Sequence, residues 1–387
     1  MGRGLTDHSR GLPGGLAPGL SSKEREAPVF TERTSVGLDV HARTIAAAAI
    51  DTQTGEVKQK RLSASSSEVL NWLRTLSMPV AVTYEAGPTG YGLARALSTA
   101  GLRCVVAAPS RLPRPAGDRV KTDTRDAMLL AHALRSDLLT EVTVPSPSQE
   151  DARDLTRARE DARATLMSAR HRLSKMLLRH GIVYHDGQAW TARHDQWLRK
   201  QRFTTPGARA AFDGYYDDVL VTTARRDRLD EQIITLANHS EFTEVTRRLA
   251  CLRGINTHTA FALAVEIGDW HRFTGASIGS YLGLTPSESS SGSRTSRGPI
   301  TKAGNTHARR LLIEAAWHHN KPYRPGRVLQ QRWNQSTPNA RVRADDGNRR
   351  LHHRWQQLTA RKKNTKIANT AIARELSGWC WSLATMD

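Results

Sequence analysis

The segment SVGLDVHAR, residues 35–43, places an acid in a run that otherwise reads as a buried strand. Val36, Leu38 and Val40 alternate along Ser35–Val40, and Asp39 interrupts the apolar pattern. A carboxylate in such a place is costly unless something neutralises it, and a divalent cation does so. Working outward, Thr44–Asp51 has the composition of a second strand and Asp51-Thr-Gln-Thr-Gly55 that of a turn into a third, Val57–Ser63. Ser67–Leu76 carries Val69, Leu70, Leu73 and Leu76 at helical spacing. Val80–Glu85, in AVTYEAGPTG (81–90), is a short apolar strand that ends in a second acid. Tyr91–Ala100 is helical and closes at Gly101, and Arg103–Ala108 is a further strand stopped by Pro109. KTDTRDA (121–127) then opens a helix with Asp123 and Asp126, three residues apart and so on one face.

Three strands, a helix, a strand, a helix, a strand and a helix make an order that resembles the ribonuclease H-like fold. In that α/β fold the first strand carries a central acid, the fourth carries one near its end, and a later helix brings the rest. Asp39, Glu85, Asp123 and Asp126 fall at those places. Four carboxylates supply the oxygen ligands that suit two Mg²⁺ ions, with Mn²⁺ as the alternative, on either side of a scissile phosphate.

The 387 residues suffice for two or three domains. Lys and Arg exceed Asp and Glu by 57 − 37 = 20 charges, which makes nucleic acid the first partner to expect. No stretch approaches the roughly 18 apolar residues that span a bilayer, and the start lacks the pattern of a signal peptide. Cys104, Cys251 and Cys380 share no metal-ligand spacing and fit buried positions in a reducing compartment. The expected location is the cytoplasm, at the nucleoid, with no membrane partner.

Residues 1–34 are rich in Gly, Ser, Pro and Arg and are expected to be a disordered tail ahead of an acid-bearing domain over 35–148. Residues 149–248 are charged and helical. Leu155, Leu166, Leu173, Met176 and Leu177 form one stripe over Glu150–His180, and Leu220, Leu229, Ile233 and Leu236 a second over Val219–Ala237. Two antiparallel helices follow, either an ordinary packed hairpin or a coiled coil that pairs two protomers. In the remainder, 249–387, LRGINTHTAFALAVEIGD (252–269) has the form of a helix-hairpin-helix unit, with Asn256 where a second glycine is usual. The Ser-rich run Ser287–Ser296 has the composition of a linker, yet it is followed by Arg294, Arg297, Lys302, Arg309 and Arg310, cations suited to holding a phosphodiester beside a hydroxyl. Trp317–Lys363 mixes Lys and Arg with Trp333 and Trp355, which suits backbone contact and stacking on nucleic acid.

Together GLDVHA, YEAGPTG, KTDTRDA with LLAHAL, LRGI with EIGD, and YLGLTPSESSSG with RGPITKAGN resemble the insertion sequence 110 family of transposases, relatives of the Piv-type DNA invertases. The resemblance runs through nearly the whole chain from Val36. It implies a RuvC-like domain whose DEDD tetrad is Asp39, Glu85, Asp123 and Asp126, and a C-terminal domain whose nucleophile is Ser291, with Ser290 and Ser289 as neighbours one or two positions away. It further implies strand exchange through a covalent phosphoserine, a homo-oligomer (dimer or tetramer) and a structured noncoding guide RNA. Two other readings stay open on the residues alone. One is a junction endonuclease that uses the acids and water without the serine, and the other is a basic binding protein on the same scaffold.

Overall fold

Alternating apolar residues in the first part of the chain form five strands, β1 (Thr34–Val40), β2 (Thr44–Asp51), β3 (Val57–Ser63), β4 (Val80–Glu85) and β5 (Arg103–Ala107). The computed structural model describes residues 32–112, 122–291 and 294–386, and at 290, 291, 294 and 295 the backbone alone. Residues 1–31 of the expected tail lie outside it, and β1 already begins at Thr34. The chain divides into two compact units, Met1–Val144 and Pro145–Asp387.

In the first unit the strand order is β3-β2-β1-β4-β5, with β1, β2 and β3 antiparallel and β1, β4 and β5 parallel. Parallel neighbours need crossovers, which are α1 (Ser66–Leu73) and α2 (Gly92–Thr99). These bury Val36, Leu38, Val82 and Tyr84 on one face of the sheet. The opposite face takes α3 (Asp123–Arg135), where Leu134 packs on Ala81 and Val105. Gly37 allows that helix to come close, since a Cβ there would lie 2.0 Å from the Ala127 carbonyl oxygen. The expected order of elements is therefore present, in a mixed α/β sheet.

The second unit is mainly helical. Two 33-residue helices, α4 (Pro147–Arg179) and α6 (Pro206–Asn238), run antiparallel for about 50 Å. The ion pairs Arg159–Asp230 and Arg172–Asp218 fix their direction. Both open on a hydroxyl cap followed by proline, with Ser146 accepting from the Gln149 amide and Thr205 from the Ala208 amide. The second helix thus starts at Pro206, well ahead of the Val219 expected from its apolar stripe. Between them α5 (Ala192–Arg199) closes the far end, its Trp197 and Leu198 clustering with Leu173, Met176 and Phe212.

At the root, α4 caps another helix. After α7 (Thr243–Leu249), α8 (Thr257–Ile267) ends with carbonyls that receive Gln149 and Arg153. Gln149 Nε2 and Arg153 Nε donate to the Val265 oxygen, and Arg153 Nη2 donates to that of Glu266. These bonds, with Ala152, Ile233, Phe261 and Val265 packed beneath them, bring 149–248 into one unit with the rest.

The remaining elements are α9 (Ser277–Tyr281), the hairpin β6 (Pro286–Ser291) and β7 (Arg294–Ile300), α10 (Thr306–Ala316), α11 (Arg327–Trp333), α12 (Pro338–Ala360) and α13 (Thr365–Ala384). Leu252, Leu263, Leu312, Leu351, Ile372 and Leu376 form their shared core. Among the described residues no helix is long and apolar enough to cross a membrane.

Two expectations change here. Gly254 does take a positive φ of 85°, but its open side faces protein, because a Cβ would sit 2.4 Å from the Ala315 oxygen. Asn256 is extended (φ −87°) and caps α8 by accepting from the Thr259 amide, so it is a helix start rather than a left-handed glycine substitute. Trp333 donates Nε1 to the Cys251 oxygen, and Trp355 is 6 % exposed within the core. Trp355 is therefore not free to stack on a base, and Trp333 is partly buried against the same core.

Candidate metal centre and serine hairpin

Asp39 lies one residue past Leu38, the last β1 position paired with β4, and Glu85 one residue past its partner Tyr84. Lateral neighbours share a face of a sheet, so both acids stand at the strand ends on the side covered by α3. Thr122 starts α3 by accepting from the Arg125 amide and sets Asp123 and Asp126 in the first turn. Carboxylates there also suit the positive end of the helix dipole, so the helix gains from them with or without a ligand.

The acids are not brought together equally. Asp39, Asp123 and His41 each offer a ligand atom within 4.8 Å of the others. His41 Nε2 is 3.2 Å from Asp39 Oδ2 and 3.7 Å from Asp123 Oδ1, so the imidazole stands between the two carboxylates. Burial pushes the Asp39 carboxyl above the ordinary range, His41 opposes this, and Asp126 and Asp123 add to it. Asp126 thus lies near enough for its charge to act on Asp39. Glu85, half-buried at the end of β4, falls outside the close group, as does Asp126. Converging hard oxygen donors with one imidazole fit a divalent cation of the Mg²⁺ or Mn²⁺ kind. His41 was missed by sequence reasoning. Its signal was the Asp-x-His spacing, which puts both side chains on one side of an extended segment.

The Ser-rich run is a β-ribbon rather than a linker. Ser289 pairs with Ser296, Ser290 with Thr295 and Ser291 with Arg294, so Ser291 is the last residue of β6. The side chains of Ser290, Ser291 and Arg294 lie outside the described residues. Arg297 is 69 % exposed and sits 3.7 Å from Glu288. Lys302 is exposed, with a φ of 55°. Arg310 is partly neutralised by Glu160 at 2.6 Å and Glu314 at 2.7 Å. Arg309 departs from the expected phosphate contact. It is 7 % exposed and donates to the Leu282 and Ala303 carbonyls and to Thr306 Oγ1.

The base of the ribbon is held by a buried carboxylate that the sequence reading left without a role. Glu266, 1 % exposed, accepts from Arg157 Nε and Nη2 at 3.0 Å and from Asn305 Nδ2 at 2.7 Å, and lies 3.0 Å from His307 Nδ1. Although burial works against the charged form, the bonds to His307, Arg157 and Asn305 outweigh it and hold the carboxyl at about 2. Asn305 also caps α10, accepting from the Ala308 amide. The EIGD and KAGN segments thus meet in one network.

Two family models match the chain. The DEDD model of IS110 transposases, described as a transposase, covers residues 36–182, and the "Transposase IS116/IS110/IS902 family" model covers 246–327. A putative transposase (y4qE) of Sinorhizobium fredii is 36 % identical across 97 % of this chain and 94 % of its own length. The transposase for insertion sequence element IS1533 of Leptospira borgpetersenii is 29 % identical across 85 % and 97 %. A probable family 20 transposase of Pseudomonas aeruginosa is 25 % identical across 91 % and 97 %. The sheet with its acids at the strand ends is accordingly the RuvC-like domain of a DEDD transposase, and this chain belongs to the IS110 family of transposases, enzymes that cut and rejoin DNA.

Proposed function

We propose that the chain transposes its element by a serine-mediated strand exchange, with Ser291 as nucleophile and Asp39, Glu85, Asp123 and Asp126 as the acidic set. The observation that carries this reading is the convergence of Asp39, His41 and Asp123 on one point at the end of a RuvC-like sheet. In the forward step the Ser291 Oγ–phosphorus bond forms and the bond from phosphorus to one deoxyribose oxygen breaks. The serine proton passes to a base and the displaced oxygen gains a proton. Rejoining reverses these changes with a new DNA hydroxyl, so the phosphodiester is conserved without an external energy source. Two Mg²⁺ ions, held by the acidic set, would supply charge neutralisation at the phosphate oxygens. Asp39 and Asp123 act as anionic ligands, and His41 orients the Asp39 carboxylate through its 3.2 Å contact.

The excess of 20 positive charges supports binding of DNA together with a structured noncoding RNA that selects donor and target. Exposed Leu220, Val221 and Ile234 on α6 and Met167 on α4 support pairing of protomers along the helical hairpin.

A covalent-trapping assay tests the reading. Protein, Mg²⁺, labelled DNA from the element's ends and the flanking transcript are incubated, denatured and compared with Ser291→Ala and Asp39→Asn. A labelled protein–DNA adduct that both variants lose is expected. Cleaved DNA without an adduct, unchanged by Ser291→Ala, would instead establish hydrolysis by the acidic set and water.

A further inference from the structure

A groove of about 1210 Å³ opens between α9, the base of the β6–β7 ribbon, α12 and α13. It exceeds the ~300–1,000 Å³ usual for small-molecule sites. Its floor is apolar, with Ala276, Ile300, Ala371, Trp379 and Trp381, and Ile367 stands 63 % exposed at the lip. Its rim is cationic, with Arg297, Arg343, Arg354, Lys366 and Arg374 against the single carboxylate Glu375. Among the described residues Glu375 is shared by Arg350 and Arg354, while Lys366 and Arg374 have no ion-pair partner. Arg343 lies over the Trp379 ring at 4.6 Å, and Trp381 is fixed by donating Nε1 to the Phe273 oxygen. Held aromatic walls and an apolar floor inside a ring of cations match a polyanion that also presents flat apolar groups.

We infer that this groove takes a DNA strand with an unpaired base, which enters the apolar floor while its flanking phosphates meet Lys366, Arg374 and Arg297. A paired duplex hides its base faces and has nothing to place on that floor. The groove also shares β7 with the serine ribbon. Arg297 pairs with Glu288, three residues before Ser291, so the groove begins about 10 Å along the ribbon from the proposed nucleophile. A strand lying in it is therefore the strand led toward Ser291, which favours DNA over RNA as occupant. This placement rests on the serine reading above, whereas the groove and its charge do not.

Full-length protein without added divalent metal, so that binding is read apart from cleavage, is titrated with three probes. These are a DNA duplex carrying one unpaired 2-aminopurine, the same duplex fully paired, and an RNA of the same unpaired design. The unpaired DNA is expected to bind about tenfold tighter than the paired duplex, the lower range for one stacked base, with quenching of the 2-aminopurine. Thr370 lines the groove, so Thr370→Trp, which fills it, should remove both the preference and the quenching, whereas Thr370→Ser should keep them. Lys366→Glu with Arg374→Glu should weaken both DNA probes. Thermal unfolding followed by circular dichroism establishes that the variants are folded. Equal affinity for the two DNA probes, quenching retained in folded Thr370→Trp, or a preference for the RNA probe would overturn the assignment. Ser291→Ala should leave the preference intact, so loss of the covalent adduct and loss of the groove are separable results.

Discussion

Replacing Glu266 tests whether the buried network at the foot of the serine ribbon carries the load its geometry implies. The carboxyl is held at about 2 against an ordinary 4.5. At about 1.36 kcal/mol per pH unit, that difference corresponds to roughly 3 kcal/mol of stability. Arg157 is 55 % exposed, so part of its attraction is screened, and about 2–3 kcal/mol is the expected loss in Glu266→Gln. Glu266→Ala, which also opens a cavity and leaves Asn305 and His307 without their acceptor, should cost about 3–5 kcal/mol. Eight of the nine tryptophans lie in Pro145–Asp387, Trp72 being the exception, so tryptophan fluorescence follows the unfolding of that unit. For a unit of this size, Glu266→Gln should lower the midpoint by roughly 5–10 °C at pH 7. The folded-state value is depressed, so the stabilisation is present above about pH 4.5 and is lost as pH falls toward 2. The gap between wild type and Glu266→Gln should therefore narrow by more than half by about pH 3. A midpoint unchanged at pH 7, or a gap that does not shrink in acid, would refute the assignment of this stability to the Glu266 charge.

Other perturbations separate structure from chemistry. Gly37→Ala should push α3 off the sheet, because the new methyl meets the Ala127 oxygen. It should cost about 1–3 kcal/mol or more and weaken Mn²⁺ binding measured by titration calorimetry. Asp39→Asn should abolish strand cleavage and leave DNA affinity nearly unchanged in a filter-binding assay; persistent cleavage with Mg²⁺ would exclude Asp39 as a ligand. Arg309→Ala should destabilise the fold by roughly 2–4 kcal/mol by leaving two carbonyls unpaired, without changing the salt dependence of DNA binding. A reduced salt slope would return Arg309 to the phosphate-contacting set. Affinity for DNA should fall roughly a thousandfold or more between 50 and 200 mM salt if six or more phosphates are neutralised, and a flat response would count against a large basic footprint.

The sheet and its acids were legible because period-two burial and charge placement are local properties of the chain. Val36 and Leu38 must face α1 and α2, and that leaves Asp39 on the other side. The start of α6 was equally local, written in Thr205-Pro206, but no Leu, Ile or Val occurs between Pro206 and Val219, so a stripe of such residues finds only the later part. What composition cannot assign is which side of a helix meets protein. Trp333 and Trp355 look like stacking residues among arginines, yet Trp355 is buried and Trp333 is partly buried against the core, while Trp379 and Trp381 line a cationic groove. Arg309 is a similar case. Its burial is set by the Leu282 carbonyl 27 positions earlier, a contact that no local pattern encodes. The Ser-rich run looked like a linker because its order comes from backbone pairing between β6 and β7, which serine neither favours strongly nor prevents.

A two-stranded ribbon is marginal in isolation, and the nucleophile proposed near its end must be held by what lies at its base. That base is clamped at several points. The Thr301 amide donates to the Thr285 oxygen and the Lys302 amide to that of Gly283, closing the ribbon below β6 and β7. Gly283 and Gly304 admit backbone where a side chain would collide, with Cβ positions 2.4 Å from the Ala303 nitrogen and 1.9 Å from the Tyr281 oxygen. Arg309 then joins the two limbs by donating to Leu282 on one and Ala303 on the other. Asn305 and His307 fasten the following helix to Glu266, and through Arg157 to α4. The residues between Tyr281 and Arg310 that resemble a catalytic motif are thus in large part a mount for one. The same Arg157 and Glu266 link that mount to the root of the long helical hairpin, alongside the Arg310–Glu160 ion pair and the bonds of Gln149 and Arg153 to the end of α8. Weakening Glu266 should therefore lower adduct formation at temperatures where the protein is still folded, whereas under the proposed serine reading Ser291→Ala is expected to lose the adduct with stability unchanged.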